Sequence, residues 1–222
     1  VVFASPAFFH IKDVAPGTVL RELQLLAHIC TVAERDWGMH LPNGNPVEKI
    51  RKPAPGKARE RALNDSERVK LLAECRKCKN PWVAPVVEFA LETAARRGEI
   101  LSLRWAEVNL STATARVDGK TGTRTIPLSS RAVALLRDLP RSTSGVVFPV
   151  TIETLKQAYE RAVARAGIND FTFHDLRHDA LTRLAGLGLN ILELRAISGH
   201  TTANMLQRYV RIDPSQLARK LA

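Results

Sequence analysis

The sequence predicts a mainly α-helical protein with a small antiparallel β element, an α+β fold. Apolar residues recur at helical spacing along most of the chain, whereas one stretch, "ATARVDGKTGTRTIPL", switches to short β-type runs around a Gly-containing turn. Helix-start residues such as Asn64, Asp65 and Thr172 stand just ahead of the periodic segments. With 222 residues and 45% hydrophobic composition, the chain can bury one good-sized core and support a smaller appended domain.

Taken in order, Pro16 to Arg35 has Leu20, Leu23, Ala27 and Cys30 near helical spacing, and "LPNGNPVEKI" after it is dense in turn formers. Between Lys49 and Arg61, six basic residues and one acid surround Pro53, Pro55 and Gly56, the composition of an extended linker that holds phosphates. "LNDSERVKLLAECRK" opens a helix capped by Asn64 or Asp65, and "WVAPVVEFALETAARRGEILSLRW" supplies two more helical stretches. A hairpin is expected around Asp118 to Gly122 and a short strand at "GVVF". Helices are then expected over Ile152–Ala166, Phe173–Leu187, Ile191–Ser198 and Thr202–Val210. A last one follows Pro214, capped by Asp213, with Leu217 and Leu221 on one face. The chain therefore reads as a helical part at 1–48, a basic linker at 49–62 and a main domain at 63–222.

Lys and Arg outnumber Asp and Glu by 33 to 22, and the net charge of +11 favours a polyanionic partner over a small neutral substrate. Three cysteines do not make a disulfide framework and point to a reducing compartment. "CRKC", without a second Cys or His pair nearby, lacks the four ligands of a structural zinc site. No apolar run has membrane-spanning length and no signal pattern opens the chain, so a cytoplasmic protein with no membrane partner is expected. The start at Val1 suggests that a preceding segment was removed or never built.

The chemistry concentrates in a few short stretches. In "FHDLRHDALTRL", Thr172 and Asp175 have capping-box spacing, which puts His174 in the first helical turn with Arg177 on the same face and His178 close by. His174 and His178 have the i,i+4 spacing of zinc ligands, but a guanidinium between them opposes a cation and suits an anion. "ISGHTTANMLQRYV" places Gly199 at a helix stop, His200 in the junction and Tyr209 further on. "ETAARRGEILSLRW" offers Arg96 and Glu99 at helical spacing, and "DGKTGTR" presents Lys120 in the hairpin. Each stretch alone is weak.

Together, in this order, they resemble the tyrosine recombinases, the phage integrase family of DNA breaking and rejoining enzymes. "TAARRGEI" with Arg96, then Lys120, then "HDLRH" with His174 and Arg177, then "SGH" with His200, then Tyr209 nine residues on, match the family's catalytic series. Ala94 stands where the family usually has Gly, which reads as a packing difference. The resemblance implies an integrase-like catalytic domain, behind a partial helical core-binding domain, that closes on double-stranded DNA. Lys49, Arg51, Lys52, Lys57 and Arg59 would be phosphate contacts.

It also implies a site-specific recombinase in which Tyr209 forms a 3′-phosphotyrosine. Arg96 and Arg177 hold the phosphate with His174 and His200, His174 takes the tyrosine proton and Lys120 is the general acid. Asp175 and His178 would support rather than react. No cofactor or metal is implied, because the arginines supply the charge compensation. The expected assembly is a homotetramer on synapsed DNA, with Leu217 and Leu221 contacting a neighbouring subunit. The rival readings are a type IB topoisomerase-like enzyme, a catalytically inactive DNA-binding module and a zinc hydrolase using His174 and His178.

Overall fold

The structure, a computed structural model, describes residues 14–54, 56, 61–119, 122–141 and 143–210. The chain divides into two compact units at residues 59/60. In the first, helix α1 (Pro16–Asp36) starts with its proline at the first turn, where no backbone N–H is missed. A 3₁₀ turn at Pro46–Lys49 is tied back to it, since Asn45 donates from Nδ2 to the Ala27 carbonyl (2.9 Å) and accepts from Val47 N (3.1 Å). Lys49, at the end of that turn, and Arg51 and Lys52 after it are exposed; Lys57 and Arg59 lie outside the described residues.

The second unit begins with α2 (Asp65–Arg76), whose start is an Asn64–Glu67 capping box. Helix α3 (Val83–Thr93) is apolar around nearly its whole circumference, so it belongs at the centre and packs on α2, α5, α6 and α7. Helix α4 (Arg97–Ser102) follows after a sharp reversal, and a three-stranded antiparallel sheet of β1 (Val108–Asn109), β2 (Thr114–Gly119) and β3 (Gly122–Pro127) lies beyond it. The β2–β3 register pairs Val117 with Arg124 and Gly119 with Gly122. Helix α5 (Ser130–Asp138) is not singled out by the sequence reading. Its signals are a Ser129 cap that accepts from Ala132 N (3.1 Å), and buried Ala132, Val133 and Leu136. Helices α6 (Ile152–Arg165), α7 (Phe173–Gly186) and α8 (Ile191–Ser198) complete the regular elements.

Two expectations change. "GVVF" makes only one bridge, Val146 to Arg104, because Val147 and Phe148 turn into the core, where Phe148 meets Phe89 at 5.3 Å between ring centroids. Thr202–Val210 is two 3₁₀ turns, Ala203–Met205 and Gln207–Tyr209, rather than an α-helix. Side chains three apart eclipse in a 3₁₀ helix, which brings Leu206 and Tyr209 onto the same side, and both are buried. They join Ala94, Ala180, Leu181 and Leu194 in a second, smaller apolar cluster beside the main core. The helix expected after Pro214 lies outside the described residues. Among the described residues, no helix is long and apolar enough to cross a membrane.

Candidate active site

The reversal between α3 and α4 builds the first wall of the site. Ala94 caps α3 in the left-handed region (φ 54°) with its methyl fully buried. Alanine at this position is therefore a conformational matter as well as one of packing, since an L-residue is strained there. The turn releases Arg96 as the residue capping α4. Its backbone N–H and its Nη1 each donate to Glu99 at 2.8 Å, and its Nη2 reaches the Gly199 carbonyl at 3.2 Å.

Helix α7 supplies the second wall. Asp175, buried, accepts from Thr172 N (2.7 Å) and Thr172 Oγ1 (2.8 Å), which fixes the helix start. Arg177 is 4% exposed; it donates from Nη1 to the Ala94 carbonyl (2.7 Å) and from Nη2 to the Ser198 carbonyl (2.6 Å). Its Nη2 also lies 3.5 Å from His200 Nδ1, which is 2.7 Å from Ser198 Oγ. Arg177 thus ties together the ends of α3 and α8, yet among the described residues it has no carboxylate partner. Burial first, then the nearby Arg96 cation, lower its pKa to about 10. Arg96, Arg97, Lys156, His174 and Arg177 line one cleft of about 400 Å³, and among the described residues Glu160 contributes the only carboxylate to its lining. A buried guanidinium with no carboxylate bonded to it among the described residues, beside further cations in an open cleft, suits an anion.

Tyr209 approaches from the second cluster. Its ring is buried, its hydroxyl hydrogen-bonds His178 Nδ1, and the Arg208 guanidinium sits 5.2 Å from its ring centroid. The partner of the hydroxyl is therefore His178, where the sequence reading places His174. The two imidazoles are neighbours, 5.2 Å apart and edge to face, but His174 lies in the cleft with Arg96 and Arg177. Burial pushes the Tyr209 phenol up, partly offset by Arg208 and Arg177. Desolvation and then Arg208 lower His178 to about 4; desolvation and then Arg177 lower His200 to about 4. His174 reaches solvent but is also lowered, by partial desolvation and by Arg177. At about 4, the His178 and His200 rings are neutral near pH 7.

Of the sequence-predicted set, Arg96, His174, Arg177, His200 and Tyr209 gather around the junction of α3, α7 and α8, whereas Lys120 lies outside the described residues. The other tyrosine, Tyr159, is 2% exposed with its phenol pushed up by burial, and it donates to the Thr172 carbonyl at 3.4 Å. Sequence reasoning missed Arg124, which clasps Glu99 with two hydrogen bonds of 2.7 and 2.8 Å. The only signal for it is its place four residues past Lys120 in the hairpin. Among the described residues no third His, Cys, Asp or Glu gathers with His174 and His178 as a metal-ligand group. Cys75 is buried and its thiol is pushed up to about 12, first by burial, leaving "CRKC" as part of the packing.

A helical unit with a small sheet carries two arginines on one cleft and a tyrosine held by an imidazole, a set of groups suited to an anionic partner. Residues 61–216 match the phage integrase family, and the chain belongs to it. The shufflon-specific DNA recombinase of Escherichia coli is 41% identical over 213 residues, covering 95% of this chain and 55% of that protein. The integrase of Salmonella phage P22 is 28% identical over 233 residues, covering 96% of this chain and 58% of that one. The chain thus spans little more than half the length of these two relatives. Among solved structures, the catalytic domain of bacteriophage HP1 integrase aligns with a TM-score of 0.61 at 31% identity, over 72% of this chain and 92% of that domain. The Tn1549 transposon integrase, in complex with circular intermediate DNA, shares the fold with a TM-score of 0.76 at 16% identity, over 95% of this chain and 82% of that one.

Proposed function

We propose that the chain is the catalytic part of a site-specific DNA recombinase that breaks and rejoins strands through a 3′-phosphotyrosine at Tyr209, in the cytoplasm. The observation that carries this is Arg177: buried, bonded to no carboxylate among the described residues, and facing a cleft shared with Arg96 and His174. A phosphodiester supplies the missing anion. The two guanidinium forks bond its non-bridging oxygens, where charge grows in the transition state, and His174 and His200 add donors or acceptors around it.

Tyr209 Oη attacks phosphorus as its proton passes to a neutral imidazole. In this geometry that imidazole is His178, whose Nδ1 is hydrogen-bonded to the hydroxyl and accepts from it when the ring carries its proton on Nε2. The bond to the 5′-oxygen breaks, and the ammonium of Lys120 gives that oxygen its proton. The covalent ester resembles the one broken, so a 5′-hydroxyl from a second strand reverses each step, releases the phenol and returns the protons. Arg51 and Lys52, both exposed, together with Lys49, Lys57 and Arg59, contact flanking phosphates, and residues 1–48 belong to a second DNA-holding domain. Exchange between two duplexes calls for a tetramer on synapsed double-stranded DNA.

The test is to incubate the protein with a random duplex library, trap covalent adducts and sequence them, then offer the recovered site in pairs. Adducts at one sequence and exchange between paired duplexes support the reading. Relaxation of supercoiled DNA without exchange would replace it with a topoisomerase-like activity.

A further inference from the structure

Glu99 is 2% exposed and accepts hydrogen bonds from Arg96 N and Nη1 and from both terminal nitrogens of Arg124. Burial by itself would raise its pKa; the bonds from Arg124 and Arg96 outweigh that and hold it at about 2, so it is a carboxylate throughout the working range. Arg124 also donates from Nε to the Ile197 carbonyl in the last turn of α8 (2.9 Å).

Two glycines are shaped around this pair. A Cβ on Gly119 would stand 2.7 Å from Glu99 Oε1, and one on Gly199 would stand 3.0 Å from Arg124 Cδ and Nε. Gly119 immediately precedes Lys120, and Gly199 immediately precedes His200. Gly199 also has φ 64° and would be strained for any other residue, whereas Gly119 carries no such constraint, and among the described residues its nearest contacts are all with Glu99.

We propose that Arg124, locked on Glu99, is a positioning residue that holds Arg96, the residue before Lys120 and the residue before His200 at one point. Glu99 binds Arg96 directly. Arg124 reaches across from β3 and fixes the end of α8, and close packing against the pair sets Gly119 and Gly199. The bidentate fork is what makes this possible: a point charge would neutralise Glu99 but hold neither its plane nor the Ile197 carbonyl. A buried ion pair is poor evidence for stability as such, whereas fixing one arrangement of catalytic groups is a role it can fill. The inference rests on the roles of Arg96, Lys120 and His200 given above.

Two variants of the full chain test it. Arg124→Lys keeps the charge and loses the fork; Gly119→Ala keeps both side chains of the pair and forces Glu99 and the hairpin apart. Both should melt somewhat below the parent but remain folded at the assay temperature and bind duplex with similar affinity, yet form the covalent adduct about 100-fold more slowly, the cost of a displacement near 1 Å. A 5′-bridging-sulfur strand, whose thiolate leaves without a proton, should recover at least about tenfold of the loss in Gly119→Ala, within the range that general acids supply. Amide exchange in Arg124→Lys should rise across Gly122–Pro127 and Ser198–Gly199 but not in α3. Parental rates in either variant, or equal slowing on both strands in Gly119→Ala, would overturn the proposal. So would unchanged exchange in Arg124→Lys. A parent that makes no adduct would instead sink the recombinase reading, with the exchange measurement still deciding whether Arg124 positions these segments.

Discussion

Replacing His178 with Gln should flatten the acid side of the stability profile. Gln can still accept from the Tyr209 hydroxyl but does not titrate, so the difference between the proteins isolates one imidazole. His178 falls from its ordinary 6.5 to about 4 in the folded chain. Between those values the unfolded state binds the proton and the folded state does not, so stability falls as pH falls. At 1.36 kcal/mol per pH unit the full difference is about 3.4 kcal/mol, of which about 1.9 kcal/mol accrues between pH 7 and pH 5. Solvent reaches part of the ring, so the expected loss is about 1 kcal/mol over that interval. Urea unfolding at pH 7 and pH 5 reads it out: the parent should lose about 1 kcal/mol more than His178→Gln. Equal losses would show that the folded protein protonates His178 normally, and the imidazole would not be the resting neutral acceptor for Tyr209.

Tyr209→Phe should abolish covalent adducts, cost about 1 kcal/mol of stability through removal of the bond to His178 and leave DNA affinity near the parent's. Adducts that persist would reassign the nucleophile, and buried Tyr159 is a poor substitute. Ala94→Gly removes about 1 kcal/mol of left-handed strain but gives up about 0.8 kcal/mol of methyl burial and some chain entropy, so the urea midpoint should barely move. A loss above about 3 kcal/mol would make the methyl a principal core contact. Replacing Arg51, Lys52 and Lys57 together should flatten the slope of log K against log salt by about 0.9 for each phosphate that is no longer neutralised, and an unchanged slope would leave the linker a bare tether.

What was legible in the sequence is what local spacing encodes. The capping box at Thr172 and Asp175 fixes where α7 begins, and hence that His174 and Arg177 share its first turns. Gly199 marks the end of α8, which sets His200 beside the Ser198 carbonyl that Arg177 holds. The illegible part is made of through-space choices. His178 and Tyr209 are 31 residues apart and Glu99 and Arg124 are 25 apart, and no periodicity says which imidazole meets the phenol or which arginine meets the carboxylate. The same limit explains "GVVF": an apolar run reads as a strand, but whether it pairs or dives into the core depends on Phe89 across the domain. The 3₁₀ turns at Ala203–Met205 and Gln207–Tyr209 were hidden because Leu206 and Tyr209, three apart, fit an α-helical pattern equally well.

The most direct test of the central claim is to map the covalent bond. The protein is incubated with a nicked duplex that cannot religate, the adduct is digested with protease and nuclease, and the modified peptide is sequenced by mass spectrometry. The expected product is a nucleotide 3′-phosphate esterified to Tyr209 and to no other side chain. A nucleotide on a different residue, or cleavage that leaves free 3′- and 5′-ends with no protein attached, would contradict it.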